Sequence, residues 1–245
     1  MLSLPPRGHR GSIVRRNTHT RIYSSMTGTT RRGALIVLEG VDRAGKTTQC
    51  AKLVEYLQSI GRPAELWRFP DRTTTIGTMI NNYLSNTTDV DDGCIHLLFS
   101  ANRWEKKDKM METLAKGVTL VVDRYAFSGV AFTAAKGVPG LDRDWCMAPD
   151  AGLVAPDAVF FLELDADAAR ERGGFGEERY EVPVFQQAVM KEFHHMKDMF
   201  PSTWHTIDAS GSIDEVHETL KKRVESVLEE ANQPVTFLWD GMKTR

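Results

Sequence analysis

One stretch of eight residues has the spacing of a phosphate-binding loop. Residues 40–47 read Gly-Val-Asp-Arg-Ala-Gly-Lys-Thr, which matches the P-loop pattern that ends in Lys46 and Thr47. Its glycines let backbone N–H groups approach phosphate oxygens closely, and the start of a following helix adds unpaired N–H donors. Lys46 can reach the β- and γ-phosphates, and Thr47 can hold Mg²⁺. The loop therefore predicts binding of a nucleoside triphosphate.

An acidic residue and three arginines stand where they could complete such a site. Asp123 follows the apolar run 120–122, and a carboxylate at a strand end can hold Mg²⁺ or cap the next helix. Arg72 and Arg124 follow two strand candidates, and Arg43 lies inside the loop itself. Any one arginine could be an ordinary surface residue, but three together suit a second phosphorylated substrate, because arginine grips phosphate bidentately.

A phosphorylated acceptor changes what the catalytic groups must do. A monophosphate is already an anionic nucleophile near pH 7, since its second pKa is about 6. The enzyme then needs only to align two repelling phosphates and to neutralise charge as it shifts, work suited to Arg43 and Lys46. A hydroxyl acceptor would instead need a residue to take its proton, and Asp123 is the one clear candidate.

Several aromatic residues could line a pocket for the base of the acceptor. Stacking on a phenyl ring does not identify a base, because every base has a π-face. Arg103 says more, since a guanidinium only donates hydrogen bonds; it suits the O4 carbonyl of thymine or uracil and should reject the amino group of cytosine. One methyl group discriminates by only about 10- to 200-fold, so thymine and uracil are not separated. The aromatic candidates, which could equally be core residues, are Phe69, Phe99, Phe132 and Tyr180.

Alternating strands and helices must position these groups. Short apolar runs separated by helical patterns predict an α/β fold in three layers, with a five-stranded parallel sheet flanked by helices on both faces. In such sheets ligands bind at the carboxyl ends of the strands, where the P-loop, Arg72, Asp123 and Arg124 fall. The predicted strands are Ala34–Leu38, Ala64–Trp67, Val118–Val122, Ala158–Leu162 and Trp204–Ile207. The predicted helices are Thr47–Ser59, Thr75–Ser85, Asp89–Ala115, Ser128–Ala135, Pro183–Met199 and Ser212–Ala231.

Two segments have particular character. Asp89–Ala115 is the longest predicted helix, with a buried stripe expected at helical spacing. Residues 170–182 are rich in glycine and charge, with little to bury, and predict a short mobile lid, with a plain surface loop as the alternative. The expected stripe is Val90, Cys94, Leu97, Leu98, Ala101 and Trp104.

Composition narrows the class of protein. The chain has 245 residues, 41% of them hydrophobic, which is ordinary for one globular domain. No apolar run approaches the roughly 18 residues that cross a membrane, so no membrane association is expected. Cys50, Cys94 and Cys146 lack metal-ligand spacing, and so sparse a set suits a reducing compartment.

The N-terminus differs sharply in charge from the rest. Residues 1–33 contain seven arginines, no lysine and no acid; since the whole chain carries −2, the remainder carries −9. That negative body argues against nucleic acid as a partner. A basic, acid-free start is typical of a mitochondrial targeting peptide. The alternatives are an unstructured tail, or a start at Met26 that gives a cytoplasmic and possibly nuclear form.

Taken together, the motifs resemble thymidylate kinase of the eukaryotic type, within the P-loop nucleoside monophosphate kinase superfamily. The resemblance runs from Arg32 to about Ala231, and it implies transfer of the γ-phosphoryl group of ATP to dTMP with Mg²⁺. The segments that carry it are 33–49, Arg68-Phe69-Pro70, 97–104, 122–133 and 176–181.

The resemblance also implies a role for each matching residue. Arg43, Lys46 and Asp123 would be catalytic, and Thr47 with Asp123 would hold the metal. The ATP site would comprise Arg43, Ala44, Gly45, Lys46, Thr47 and Thr48, with Arg172 over adenine and Gly211 on its rim. In the acceptor site, Asp42 would hold the 3′-hydroxyl, Arg72 and Arg124 the phosphate, Phe99 and Arg103 the base, with Phe69, Gly129, Phe132, Tyr180 and Gln186 around them.

The resemblance further implies a homodimer, to which the predicted helix at 89–115 would contribute. The chain divides into a basic extension (1–32), a kinase domain (33–233, with its lid at about 170–182) and a C-terminal tail (234–245), of which Phe237–Arg245 departs from the family pattern. Two other functions stay open on the sequence: a deoxynucleoside kinase with a hydroxyl acceptor, and a non-catalytic nucleotide-binding module.

Overall fold

The structure is a computed structural model that describes residues 31–165, 168–169, 178–231 and 233–240. Residues 1–30 of the predicted extension, residues 170–177 of the predicted lid and Arg172 within it lie outside the described residues. The strands are β1 (Leu35–Glu39), β2 (Ala64–Arg68), β3 (Thr119–Asp123), β4 (Ala158–Glu163) and β5 (Trp204–Asp208). The helices are α1 (Lys46–Ser59), α2 (Thr75–Leu84), α3 (Asp92–Trp104), α4 (Lys107–Ala115), α5 (Ala126–Ala134), α6 (Arg143–Met147), α7 (Pro183–Met199) and α8 (Ile213–Glu230).

Within the described residues, the five strands form one parallel sheet in the order β2-β3-β1-β4-β5. Its centre is apolar on both faces: every residue of β1 and β3 is buried, as is every residue of β4 except Glu163. Leu38 of β1 lies beside Asp123 of β3, so the P-loop that follows β1 starts next to that carboxylate. The predicted α/β fold with a five-stranded parallel sheet is confirmed.

Helices flank this sheet and are fixed by local signals. α8 begins with a capping box in which Ser212 and Glu215 satisfy each other's backbone N–H groups. Its buried residues Val216, Leu220 and Val224 recur every four positions and form its inner face. α8 packs beside α1, while α5 packs against α6 and α7. Among the described residues, no helix has both the length and the apolar character needed to cross a membrane.

The predicted single helix over Asp89–Ala115 is wrong, because the chain forms α3 and α4 with a break at residues 105–106. The Lys106 N–H bonds to the Arg103 carbonyl, three residues back, which tightens the last turn. Side chains hold the break against the loop after β2: Asn102 accepts from the Asp71 N–H (2.7 Å), and Lys106 pairs with the Asp71 carboxylate (2.5 Å). These polar contacts leave no periodic signal in the sequence.

The expected buried stripe on this segment is also wrong. Leu97 and Trp104 are 46% and 38% exposed, and Cys94 is exposed too, while the rest of the predicted stripe is only half-buried. The inner face of α3 is mostly polar: its buried residues are Ile95, His96, Ser100, Asn102 and Arg103. Each buried polar side chain has a hydrogen-bond partner, so a pattern based on hydrophobicity selects the opposite face of the helix.

The described part of the predicted tail packs onto the domain. Leu238 is buried, and its N–H donates to the Leu153 carbonyl (2.7 Å). The ring of Trp239 contacts the rings of Phe127 (5.4 Å between centroids) and Phe200 (5.1 Å). Residues 234–240 therefore cover part of the core and brace the segment that precedes β4.

Candidate active site

A cavity of about 770 Å³ opens at the carboxyl ends of the strands. It joins the P-loop to residues from the ends of β2 and β3, from α3 and α5, and from the segment just before α7. Gln186 does not line it, and Arg172 lies outside the described residues. The predicted site residues on its wall are Asp42, Arg43, Ala44, Gly45, Lys46, Thr47, Thr48, Phe69, Arg72, Phe99, Arg103, Asp123, Arg124, Gly129, Phe132, Tyr180 and Gly211.

The P-loop backbone adopts angles that favour glycine. Gly40 and Gly45 have φ of 149° and 93°, and a Cβ on Gly40 would lie 2.7 Å from the Leu162 carbonyl oxygen. Arg43 also has a positive φ, 65°, which is uncommon for a residue with a side chain. Such a conformation costs of order 1–3 kcal/mol and persists where the surrounding structure imposes it. The turn therefore directs Arg43 into the cavity at a cost in backbone strain.

Lys46 is the buried cation of the loop. Its Nζ donates to the Val41 carbonyl (2.6 Å), which folds the side chain back over the loop. Burial lowers the pKa of Lys46 to about 8, chiefly because the interior disfavours the charged form, and the nearby Arg124 guanidinium lowers it further. A polyanion bound in the loop would supply the charge that stabilises this ammonium group.

Thr47 and Asp123 meet at the end of β3. The Thr47 hydroxyl donates to Asp123 Oδ2 (2.5 Å), and Arg68 lies 3.4 Å from the same oxygen. The other oxygen, Oδ1, is buried and has no hydrogen-bond partner among the described residues. Hard oxygen donors of this kind fit Mg²⁺, so the two residues suit a metal held mainly by nucleotide phosphates.

Arg124 connects the loop to α5. It donates to Asp42 Oδ1 (2.5 Å), to the Gly40 carbonyl (3.1 Å) and to Ser128 Oγ (3.2 Å). Gln186 in turn accepts from the Asp42 N–H (2.9 Å) and donates to Asp42 Oδ2 (2.7 Å). The structure thus places Gln186 behind Asp42, where it orients the carboxylate from outside the cavity.

Glu39 is a site residue that the sequence reasoning missed. Its buried carboxylate accepts from the Tyr125 N–H (2.9 Å) and from the N–H and hydroxyl of Ser128 (3.1 and 2.5 Å). Burial raises the pKa of Glu39. It thereby fixes the start of α5 and the turn that presents Arg124. An acid at the end of an otherwise apolar strand was the available signal.

Arg43 and Arg72 each pair with a glutamate from the last, described part of the predicted lid. Arg43 Nη2 lies 3.0 Å from Glu181, and Arg72 Nη2 lies 2.7 Å from Glu178. Arg72 also donates to the Asn81 side chain (2.9 Å). Sequence reasoning did not single out either glutamate, since acids in a charged loop are commonplace.

At the far end of the cavity, aromatic rings surround the residues predicted to meet a base. Phe99 lines the wall from α3, and Tyr180 contacts Phe132 (5.5 Å between centroids) and stacks on Phe185 (5.3 Å). Phe69 is buried against Tyr125. Arg103 lines the same cavity and is paired with Asp150, a residue that the sequence reasoning missed because nothing in its neighbours marks it.

Fold and cavity together define a P-loop phosphotransferase with room for a second substrate. The nucleotide loop, a carboxylate at the adjacent strand end and arginines from three separate stretches share one wall. Such an arrangement can hold two anions next to one another and neutralise charge between them.

Comparison with known proteins specifies the family. The family model for thymidylate kinase matches residues 38–220. Thymidylate kinase of Danio rerio is 54% identical over 85% of this chain and 98% of its own length, and that of Homo sapiens is 52% identical over 85% and 98%. A solved structure of thymidylate kinase from Candida albicans aligns with a TM-score of 0.77 at 36% identity, covering 85% of this chain and 99% of that one. The chain belongs to the thymidylate kinase family, as the sequence motifs predict.

Proposed function

We infer that the protein transfers the γ-phosphoryl group of ATP to dTMP, which yields dTDP and ADP for dTTP synthesis. The observation that carries this function is one shared cavity, lined by the P-loop, by Arg72 and Arg124, and by Phe99 and Arg103. Relatives named thymidylate kinase, at 52–54% identity over 85–86% of the chain, support the same acceptor.

On the donor side, the loop backbone and Lys46 bind the triphosphate. The backbone N–H groups at the start of α1 would donate to phosphate oxygens. Arg172 and the backbone at Gly211 would flank the adenine. Thr47 and Asp123 would hold Mg²⁺, which when bound neutralises charge on the phosphates. Asp123 Oδ1, the buried oxygen without a described partner, is the protein atom we assign to this task.

On the acceptor side, Arg72 and Arg124 bind the monophosphate and bring it into line with the γ-phosphate. Because that monophosphate is anionic near pH 7, no residue has to remove a proton. Arg43 neutralises the negative charge that shifts from one phosphate to the other during transfer. Asp42, oriented by Gln186, accepts a hydrogen bond from the 3′-hydroxyl of the sugar.

At the base, Arg103 donates to the O4 carbonyl while Phe99 stacks on the ring. Phe69, Phe132 and Tyr180 enclose the nucleoside, and Gly129 leaves room for the Arg103 side chain. A donor-only group at this edge excludes cytosine. Aromatic walls give affinity with little choice among bases, so the choice rests on Arg103.

The test is a coupled assay of ADP release across acceptors. Purified protein with MgATP is offered dTMP, dUMP, dCMP, dGMP, AMP and thymidine at matched concentrations. We expect turnover with dTMP and weaker turnover with dUMP. Brisk turnover of thymidine with none of dTMP would favour the deoxynucleoside kinase, and ATP binding without turnover of any acceptor would favour the non-catalytic module.

We propose that the protein acts as a homodimer through the outward face of α3. Leu97 and Trp104 are exposed large apolar residues on this face, in the segment that the family resemblance assigns to dimer contacts. A Leu97→Glu variant should lower the mass measured by light scattering from two chains to one. Exposed Ile213, on α8, is the matched control position. A wild-type mass of one chain would contradict the proposal.

We propose that the basic N-terminus directs the protein to mitochondria, with a cytoplasmic form from a start at Met26. The charge pattern of residues 1–33 supports it: seven arginines and no acid. Residues 1–32 fused to a fluorescent reporter should localise to mitochondria, and the same fusion with its arginines changed to glutamine should not. A diffuse signal from the unchanged fusion would overturn import.

A further inference from the structure

Arg103 reaches the base pocket as half of a buried ion pair with Asp150. Both side chains are almost fully buried, 2% and 0% exposed. Arg103 donates from Nε to Asp150 Oδ1 (3.1 Å) and from Nη2 to Oδ2 (2.6 Å), a two-pronged contact that sets the plane of the guanidinium group. Ser100, one turn earlier on α3, donates to Oδ1 as well (2.7 Å). The carboxylate is therefore anchored to the same helix that carries Arg103.

The other side of the guanidinium group rests on α5. A Cβ built on Gly129 would lie 2.8 Å from Arg103 Nη2 and 3.2 Å from Nη1, so any other residue here would push the group away. Asp150 and Gly129 together restrict the guanidinium group to one position between α3 and α5. Arg103 still lines the cavity, so it meets a ligand in that one orientation.

This arrangement bears on the choice of base. A hydrogen bond to a carbonyl weakens steeply when the donor moves out of line, so an arginine selects O4 only if its plane is held. An arginine alone on a flexible stem could swing aside and admit an amino group. The Asp150 carboxylate, the neighbouring group able to accept from such an amine, is fully buried and already engaged by Arg103 and Ser100.

We propose that Asp150 is a positioning residue for acceptor specificity: with Gly129, it holds Arg103 so that the site accepts a 4-carbonyl pyrimidine and rejects a 4-amino one. The inference rests on the proposed function, since it names the part of the base that this end of the cavity distinguishes. The simpler alternative is that the pair only joins α3 to the turn at Ala148–Asp150.

Asp150→Asn separates these possibilities, because asparagine keeps the shape but turns an NH₂ toward the donors of Arg103. Three acceptors are compared: dTMP, dCMP and a dTMP analogue with hydrogen in place of O4. We expect kcat/KM for dTMP to fall by roughly 10- to 100-fold, the range for hydrogen bonds to charged groups, mainly through KM. Turnover of the analogue should not change, and the preference for dTMP over dCMP should fall in parallel.

The matched control is Asp157→Asn. Asp157 also receives two hydrogen bonds from one arginine, Arg32 (2.6 and 2.8 Å), but it lies next to the start of β1, away from the cavity. The Asp157→Asn variant should change thermal stability without changing the preference among acceptors. Asp150→Glu, which keeps the charge, should restore part of the preference.

Removing one partner of a buried ion pair can prevent folding. Ser100→Ala and Gly129→Ala leave both charged residues in place: the first removes a hydrogen bond to Asp150, and the second crowds the guanidinium group, so either should lower the preference for dTMP over dCMP by a smaller factor. An equal loss for all three acceptors, or an unchanged preference in variants that fold, would overturn the role of Asp150. Wild-type protein inactive on dTMP would instead overturn the proposed function, and this inference with it.

Discussion

The two ends of the cavity hold their arginines in opposite ways. At the base end, Arg103 is locked to Asp150, with side-chain exposures of 2% and 0%. At the phosphate end, Arg72 pairs with Glu178, with exposures of 38% and 39%. A buried pair is costly to break, whereas an exposed pair is worth little and exchanges readily. The comparison indicates that Arg103, at the proposed base end, is fixed, while Arg72 can exchange its carboxylate partner for a phosphate.

The largest expected effect is at Arg43. Arg43→Ala removes the guanidinium group nearest the transferred charge, and kcat should fall by roughly 10³- to 10⁵-fold, as for arginine fingers. Steady-state kinetics with dTMP measure it. Arg143→Ala is the matched control, an exposed arginine paired with Glu192 outside the cavity. Similar losses of kcat in both variants would contradict a catalytic role for Arg43. The difference between the two ends of the cavity would then lose its support.

Arg72→Ala tests the grip on the acceptor phosphate. Loss of a charge-assisted contact should raise KM for dTMP by about 10- to 100-fold with a smaller change in kcat. Arg72→Lys keeps the positive charge but loses the two-pronged hydrogen bonding of a guanidinium group. Its KM for dTMP should therefore lie between those of the wild type and Arg72→Ala. If acceptor affinity is unchanged in Arg72→Ala, the phosphate end does not extend to this residue and a hydroxyl acceptor regains support.

The pH profile should separate the donor site from the rest. With a pKa of about 8, Lys46 is charged below pH 8 in the free enzyme and loses its proton above it. The charged fraction then falls by about fivefold between pH 8 and pH 9, so kcat/KM for ATP should decline over that range. Bound triphosphate raises the pKa of this lysine, so kcat at saturating ATP should hold to higher pH. Identical profiles for both parameters would contradict this assignment.

The smallest effect has the opposite sign. Glu178→Gln removes the carboxylate that competes with phosphate for Arg72, and an exposed pair is worth about 0.2–1 kcal/mol. KM for dTMP should therefore drop, by at most about fivefold. Glu192→Gln, which disrupts the Arg143 pair, is the control and should change nothing. A higher KM for dTMP in Glu178→Gln would show that this glutamate supports binding of dTMP. Glu178 and Asp150 would then differ only in how strongly they support binding.

The sequence predicts the fold and the donor site well because both depend on local patterns. Apolar runs place all five described strands within about two residues of their ends, and the P-loop spacing identifies Lys46 and Thr47 directly. The sequence did not predict the roles of Glu39 and Asp150 or the break after α3, since each depends on a partner far along the chain. Asp150 lies 47 residues from Arg103, and no spacing rule links them.

The same reason explains the error on α3. Periodicity in hydrophobic residues selects the side with Leu97 and Trp104, yet buried hydrogen bonds hold the polar side inward. A pattern of side-chain types cannot report partners, and it misleads most where the core of a helix is polar.

Helix α3 has one further consequence. Its outer side carries Leu97 and Trp104, its inner side carries Phe99 and Arg103, and the Trp104 indole N–H donates to Pro149, next to Asp150 (2.7 Å). Because a helix moves as a rigid body, contacts on its outer side also set the orientation of Phe99 and Arg103 on its inner side. Substitutions on this outer surface should therefore also change the preference of the enzyme among acceptors.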